Sequence, residues 1–434
     1  MQLSWPGGPL RGTAILPASK SEANRALILQ ALAGGGTVDN LSDANDTQLM
    51  QRLLLEAPNT DLLDAEDAGT VMRFLTAYLA VTGWRGRLTG TARAQERPIG
   101  VLVEALRQAG AHISYLNAEG YPPLEFGGFS AAADATEPTA LSVRGDISSQ
   151  YISALLMVGP QLAGGLRLTL TGTIGSRPYI TMTAALMQLF GANVAFEGDV
   201  LTVQPGQYQP TNYTVESDWS AASYWYALVA LSPPGASVTL PGLRLTPDVF
   251  RPNLDRPQPN SLQGDSDIVG IMQHFGVKTE IVNGQARLLQ TPALRRRLQH
   301  PEKTPLPFDF RTCPDLAQTV AVVGAALGVP LRLTGLASLR IKETDRILAL
   351  QTELAKFGAT LAETAPGVFD LTSENFQLDG QTVETYEDHR MAMAFAPLAM
   401  LGPVHIENPG VVRKSYPQFW KELAQRGVVV SEAD

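Results

Sequence analysis

The apolar and polar positions along the chain repeat one motif. A strand-like run ends in Leu-x-Gly, a loop with basic residues follows, then an amphipathic helix, a glycine and a new strand. The strand ends are clearest at Leu88-Thr89-Gly90, Leu170-Thr171-Gly172, Leu240-Pro241-Gly242 and Leu333-Thr334-Gly335. The helix stops fall at Gly110, Gly191, Gly276, Gly358 and Gly427, spaced 81, 85, 82 and 69 residues apart. Each sits where a helix ends in a left-handed residue, a conformation glycine adopts without a Cβ penalty. A weaker copy runs through Asp46–Glu56 and lacks the terminating glycine. Periods this long exceed those of solenoids, so each unit holds several strands and helices. Six units predict two domains of three units each. Near the midpoint, Val215–Ser220 precedes an apolar helix over Ala221–Leu231, and Ser232–Gly235 reads as a loop.

Length and composition narrow the class. At 434 residues the chain exceeds what one core usually serves. Apolar residues make up 44% and charged residues 17%, as in folded globular proteins. A formal charge of −9 argues against nucleic-acid or membrane-surface partners. The longest apolar stretches, Thr319–Leu331 and Met391–Leu401, are too short to span a bilayer and read as buried helices. Met1–Arg11 has no secretory-signal pattern, and the single cysteine, Cys313, suits a reducing cytoplasm. A cytoplasmic enzyme is the expectation.

Cations stand where helices begin. A helix amino terminus carries partial positive charge, so Lys or Arg there is unfavourable unless an anion is present too. Lys20-Ser21 opens a helix through Ala33, with Arg25 one turn further in. Arg97 precedes Pro98 and Arg177 precedes Pro178, with Ser176 as a cap. Lys342 and Arg346 lie four apart and share a face at the start of a helix through Leu354. Arg390 opens the helix Met391–Met400, and Lys414 leads into the last helix. Any one of these suits a surface charge or ion pair. Their recurrence at equivalent places predicts clefts that hold phosphate and carboxylate groups. Asp67-Ala68-Gly69-Thr70 adds a turn where a ligand can approach the backbone, and Ser148-Ser149-Gln150 adds neutral hydrogen-bonding groups.

Two carboxylates stand among the cations. Glu343 lies between Lys342 and Arg346, and Asp315 follows Cys313-Pro314 at a helix start. Asp315 equally suits a helix cap, and Glu343 an ion pair with Lys342 or Arg346. The five histidines show no metal-ligand spacing, and neither a Walker A motif nor a dinucleotide-binding glycine fingerprint is present in context.

Six motifs resemble the 5-enolpyruvylshikimate-3-phosphate synthase family. They are Leu16-Pro17-Ala18-Ser19-Lys20-Ser21 with Asn24-Arg25, Asp67-Ala68-Gly69-Thr70 with Met72-Arg73, Glu96-Arg97-Pro98-Ile99, Ser148-Ser149-Gln150, Lys342-Glu343-Thr344-Asp345-Arg346 and Asp388-His389-Arg390-Met391-Ala392-Met393. They cover nearly the whole chain in order. The resemblance implies an α/β (α+β) fold of two domains, each of three βαβαββ repeats around a pseudo-threefold axis, an inside-out α/β barrel. It implies that residues 1–18 with 217–434 form a discontinuous domain, that 19–216 form an inserted one, and that both contribute to one cleft.

The implied reaction moves the enolpyruvyl group of phosphoenolpyruvate to shikimate-3-phosphate and releases phosphate, with no cofactor, no metal and a monomeric chain. Lys20, Ser21, Arg25, Ser148, Ser149, Gln150, Ser176, Asp315 and Lys342 would contact shikimate-3-phosphate. Lys20, Gly69, Arg97, Gln150, Arg346, Arg390 and Lys414 would hold phosphoenolpyruvate. Asp315 would accept the hydroxyl proton, and Glu343 would protonate the methylene carbon and later remove a proton.

The chain departs from the family pattern at Ala18, Asp67, Phe74 and Ser338, and Gly242–Gly276 is longer and richer in proline. The related transferase acting on UDP-N-acetylglucosamine generally carries a cysteine ahead of its Arg-Pro motif. Thr91–Glu96 contains none. A phosphometabolite-binding relative without catalysis is the reading from a different class, and Asp315 with Glu343 argues against it.

Overall fold

The computed structural model describes residues 1–130, 136–146, 148–172, 174, 177–246, 258–259, 261–291 and 304–431. It divides into two compact units, Met1–Pro17 with Glu216–Asp434, and Ala18–Val215.

Among the described residues, five four-stranded sheets share one strand order. In the Ala18–Val215 unit, Leu62–Asp64 pairs in parallel with Arg85–Thr89, which pairs antiparallel with Leu124–Phe129, and that strand with Ala111–Tyr115. Thr139–Arg144, Leu166–Thr171, Val200–Val203 and Val194–Glu197 repeat the pattern. A helix joins each parallel pair and a second helix leads into the hairpin, which makes each repeat a βαβαββ unit.

The other unit has three such sheets, and its amino-terminal segment completes two of them. Arg11–Thr13 is the parallel partner of Ser237–Leu240, and Gln2–Ser4 lies between Val404–Ile406 and Val429–Ser431. The weak repeat is the exception. The helix Asn45–Glu56 runs on into a 3-10 turn at Ala57–Asn59, and its strand Val38–Asp39 has one partner, Tyr213–Thr214. All five spaced glycines have positive φ, between 77° and 109°. At Gly358 a Cβ would also stand 2.4 Å from the Asn375 carbonyl oxygen, so space and backbone both demand glycine.

The sheets present alternate residues to the interior, and the most buried helices lie beneath them. Trp219–Leu231 and Ala317–Ala326 are apolar and buried on nearly every side, as is the shorter His389–Phe395. Lys20–Ala33, Gly69–Val81 and Ser149–Val158 play the same part in the other unit. Among the described residues no helix is long and apolar enough to cross a membrane.

Two helix starts differ from expectation. Arg97 does not open a helix at Pro98. Thr91 caps a short helix, Ala92–Gln95, and the next begins at Gly100, where the Gly120 carbonyl takes the Ile99 and Gly100 N–H groups at 2.9 and 3.1 Å. Lys342 is not on the helix of Arg346. Asp345 caps that helix, accepting from the Ile347 and Leu348 N–H groups at 3.1 Å each, and Lys342 lies ahead of the cap.

Candidate active site

In the Ala18–Val215 unit, two of three buried helices begin close together. Lys20 is the first residue of one, and its Nζ stands 3.4 Å from Asp46. Gly69 opens the second; Ser149 opens the third behind the cap Ser148, whose Oγ accepts from Gln150 N at 3.4 Å. Gln150 ties the last two starts together. Its Nε2 donates to Thr70 Oγ1 at 2.8 Å, and its Oε1 accepts from the Arg73 guanidinium at 2.6 Å. The caps are Ser19, Ala68 and Ser148, none of them acidic. Positive helix ends therefore converge with cations around them, an arrangement that suits an anion.

Gly69 is the narrowest point. A Cβ there would meet Arg73 Nη1 and Arg97 Nη1, each at 2.7 Å. Two guanidinium groups thus close over one backbone position, and a methyl group there would displace one or both of them. Gly69→Ala is expected to raise the KM for an anionic substrate at least tenfold while leaving the thermal midpoint within a few degrees. Steady-state kinetics and a melting curve check both.

Arg25 has a different setting. It is 2% exposed, and its guanidinium donates to Thr183 Oγ1 at 2.7 Å, Ser153 Oγ at 3.0 Å and the Ser21 carbonyl at 2.7 Å. Phe74, one of the departures from the family pattern, lies under it at 5.2 Å. Burial pushes Arg25 down to about 10, which still leaves it charged at neutral pH. Ser21 is half-buried beside it. Arg177 pairs with exposed Asp199 at 2.7 Å and reads as a surface ion pair. Ser176 lies outside the described residues.

In the other unit, each corresponding helix start carries an aspartate. Asp218 caps the Trp219 helix, Asp388 caps the His389 helix, and Asp315 lies in the 3-10 turn Pro314–Leu316 ahead of Ala317. Asp315 is not the cap of its turn, a place taken by Cys313. Its carboxylate engages Arg346 Nη1 at 2.9 Å and Arg390 Nη2 at 3.0 Å. Arg346, 2% exposed, also holds Glu343 at 2.6 Å and Asp388 at 2.5 Å. Burial works against its charge, but Asp388, Glu343 and Asp315 outweigh that and hold it above its ordinary range. Arg390 further donates to Tyr224 Oη at 3.4 Å. Lys414 donates to the Glu387 carbonyl at 3.3 Å, and Lys342 and Ser338 are half-buried. Of the local readings of Glu343, the ion pair with Arg346 is present, on a nitrogen separate from the one that holds Asp315.

A sequence profile described as EPSP synthase (3-phosphoshikimate 1-carboxyvinyltransferase) matches residues 52–423. A protein named 3-phosphoshikimate 1-carboxyvinyltransferase from Bacteroides fragilis strain YCH46 is 46% identical over 422 residues, 96% of each chain. The chain belongs to the EPSP synthase family. A relative of the same name from Methanospirillum hungatei is 35% identical over 445 residues, again 96% of each chain. An EPSP synthase structure from Acinetobacter baumannii superposes with a TM-score of 0.74 at 22% identity, covering 99% of this chain and 100% of that one, so the fold is shared.

Local sequence signals missed several groups in this EPSP synthase family member. Arg73 reads as an ordinary helical residue, yet it is buried and fixes Gln150, with its own Nε lacking a hydrogen-bond partner among the described residues. Tyr386 and Glu387 both have left-handed backbones, with φ of 53° and 56°, immediately ahead of Asp388. The buried Glu353 clamps that turn, accepting from Tyr386 Oη at 2.8 Å and Glu384 N at 3.1 Å. Asp265 gave no signal beyond an acid in a short helical turn.

Proposed function

We propose that the chain transfers the enolpyruvyl group of phosphoenolpyruvate to the 5-hydroxyl of shikimate-3-phosphate, releasing inorganic phosphate, on the route to chorismate and the aromatic amino acids. One observation carries the chemistry: two carboxylates, Asp315 and Glu343, are held by separate nitrogens of the single buried Arg346, with Arg390 alongside. Asp315 takes the proton of the attacking hydroxyl. Glu343 gives a proton to the methylene carbon, so the adjacent carbon becomes the electrophile that the hydroxyl oxygen attacks. Glu343 then removes a proton from the new methyl group, the double bond reforms, and the C–O bond to phosphate breaks. No covalent link to the enzyme is required.

Lys20, Ser21, Arg25, Ser148, Ser149, Gln150, Ser176, Asp315 and Lys342 are assigned to shikimate-3-phosphate. Lys20, Gly69, Arg97, Gln150, Arg346, Arg390 and Lys414 are assigned to phosphoenolpyruvate. The guanidinium groups grip its oxyanions with paired hydrogen bonds, and the lysines act as point charges. Orientation and preorganised positive charge supply the rate. The chain acts as a cytoplasmic monomer in this reading.

Phosphate release from the purified protein with both substrates is the test. Release with UDP-N-acetylglucosamine in place of shikimate-3-phosphate favours the related transferase, and none with either favours a binding protein. Cys313 does not support the former. It is buried, and burial pushes its thiol well up, away from the thiolate form.

A further inference from the structure

Asp265 is a buried carboxyl that the reaction above does not use. It stands in the 3-10 turn Gly264–Asp267, at the end of the proline-rich stretch, and is 5% exposed. The neighbouring Gln263 clasps this turn to the start of the Trp219 helix. Gln263 Nε2 donates to the Ser217 carbonyl and its Oε1 accepts from Trp219 N, both at 2.9 Å. Buried Glu216 reinforces the clasp, accepting from Ser261 Oγ at 2.6 Å and from Trp219 Nε1 and Arg244 N at 2.7 Å each. Asp265 is thereby brought to Ser220, whose hydroxyl donates to it, and its turn packs against the Pro314–Leu316 turn that carries Asp315, the carboxylate paired with Arg390 at 3.0 Å.

The titratable and charged groups facing Asp265 come from each element around it. They are Asp218 from the Trp219 helix, Cys313 and Asp315 from the Pro314 turn, and Arg390 from the His389 helix. Asp267 shares its own turn. The cluster sets five carboxyls, Asp218, Asp265, Asp315, Glu343 and Asp388, against two guanidinium groups, Arg346 and Arg390. A buried excess of negative charge is costly, and the cost falls when one carboxyl keeps its proton. Burial, and then the charge of Asp315, push Asp265 up to about 7, the direction expected of that carboxyl.

We propose that Asp265 is a positioning residue that sets the charge available at Arg390. As the neutral acid it leaves Arg390 to an anionic substrate, and as the carboxylate it competes for it. The enolpyruvyl-transfer reading enters only in naming that anion as phosphoenolpyruvate.

Asp265→Asn keeps the shape of the acid and cannot ionise. The KM for phosphoenolpyruvate in wild type is expected to rise several-fold as pH passes upward through about 7, with a smaller change in kcat. In the variant that rise disappears, so the two proteins match near pH 6 and the variant binds more tightly near pH ~8.5. A merely structural role would instead raise KM at every pH. The same pH dependence of KM in both proteins overturns the proposal.

The ligand-free protein gives an independent reading. A carboxyl raised in the folded state adds stability that is fully present below the ordinary carboxyl range and is lost as pH rises through about 7. The wild-type folding constant should fall by up to about tenfold per pH unit across that window, and Asp265→Asn should lack this component. Ser220→Ala keeps the carboxyl but removes a hydrogen bond that favours its ionised form, so the fall extends to higher pH. Equal slopes in wild type and Asp265→Asn overturn the proposal whatever the reaction is. A wild type that releases no phosphate, but whose slope is lost in Asp265→Asn, removes the reaction and keeps the proton. Calorimetric titration with inorganic phosphate then replaces KM as the reading of Arg390.

Discussion

Glu343→Gln is expected to lower kcat by about 10²–10⁴-fold while leaving shikimate-3-phosphate affinity within a few-fold of wild type. Glutamine matches glutamate in size and keeps an oxygen that can accept the Arg346 hydrogen bond, now 2.6 Å long. The guanidinium therefore stays where Asp315 and Asp388 also hold it. What the amide lacks is a proton to give to carbon or a basic oxygen to take one back. The loss should therefore appear in the chemical step, measured by single-turnover quench. Equilibrium titration with shikimate-3-phosphate is the control. Near-normal turnover would remove Glu343 from acid–base chemistry, and a parallel loss of binding would make it a positioning group instead.

The contrast between the two units explains why part of the site could be read from sequence and part could not. Cations near helix starts, and the carboxylates and the glycine turn among them, are local patterns, and they single out Lys20, Gly69, Arg97, Asp315, Glu343 and Arg390 as candidates. Which helix starts meet is not local. Gln150 reaches Thr70 and Arg73 across nearly eighty residues of chain, with sequence separations of 80 and 77. Burial is not local either. Arg25 and Arg177 look alike as cations near helix starts, yet Arg25 is enclosed by Thr183, Ser153 and Phe74 while Arg177 pairs on the surface with Asp199.

Local caps also override spacing. Lys342 and Arg346 have the interval of one helical turn, but the Asp345 carboxylate ends the helix between them. The helix starts differ between the units. Ser19, Ala68 and Ser148 cap one set without a carboxylate, whereas the other set has Asp218 and Asp388 as caps and Asp315 in the turn ahead of its helix.

Arg346→Met should cost about 3–5 kcal/mol of stability near neutral pH and abolish turnover. Methionine fills much of the volume but removes the cation that buried Asp388 faces at 2.5 Å and one of the two that buried Asp315 faces, leaving Asp315 to Arg390 at 3.0 Å. Glu343 adds less, because its side chain is 30% exposed and water screens it. The loss is a large share of the ~5–15 kcal/mol that ordinarily holds a folded domain together. It should also depend on pH with a definite sign. Carboxylates stranded in the interior take up protons in the folded variant, so the deficit shrinks as pH falls and grows as pH rises. Arg346→Lys should recover only part of it, since one ammonium cannot present separate nitrogens to three carboxylates. Urea unfolding midpoints across the acid and neutral range measure all of this. A deficit under about 1 kcal/mol, or one independent of pH, would mean that the three carboxylates do not depend on Arg346 for their burial. Well-packed apolar side chains stabilise such a position at least as well as an ion-pair cluster. A large, pH-dependent deficit would therefore mark the cluster as one retained for its chemistry, at a standing cost that Arg346 offsets together with Arg390.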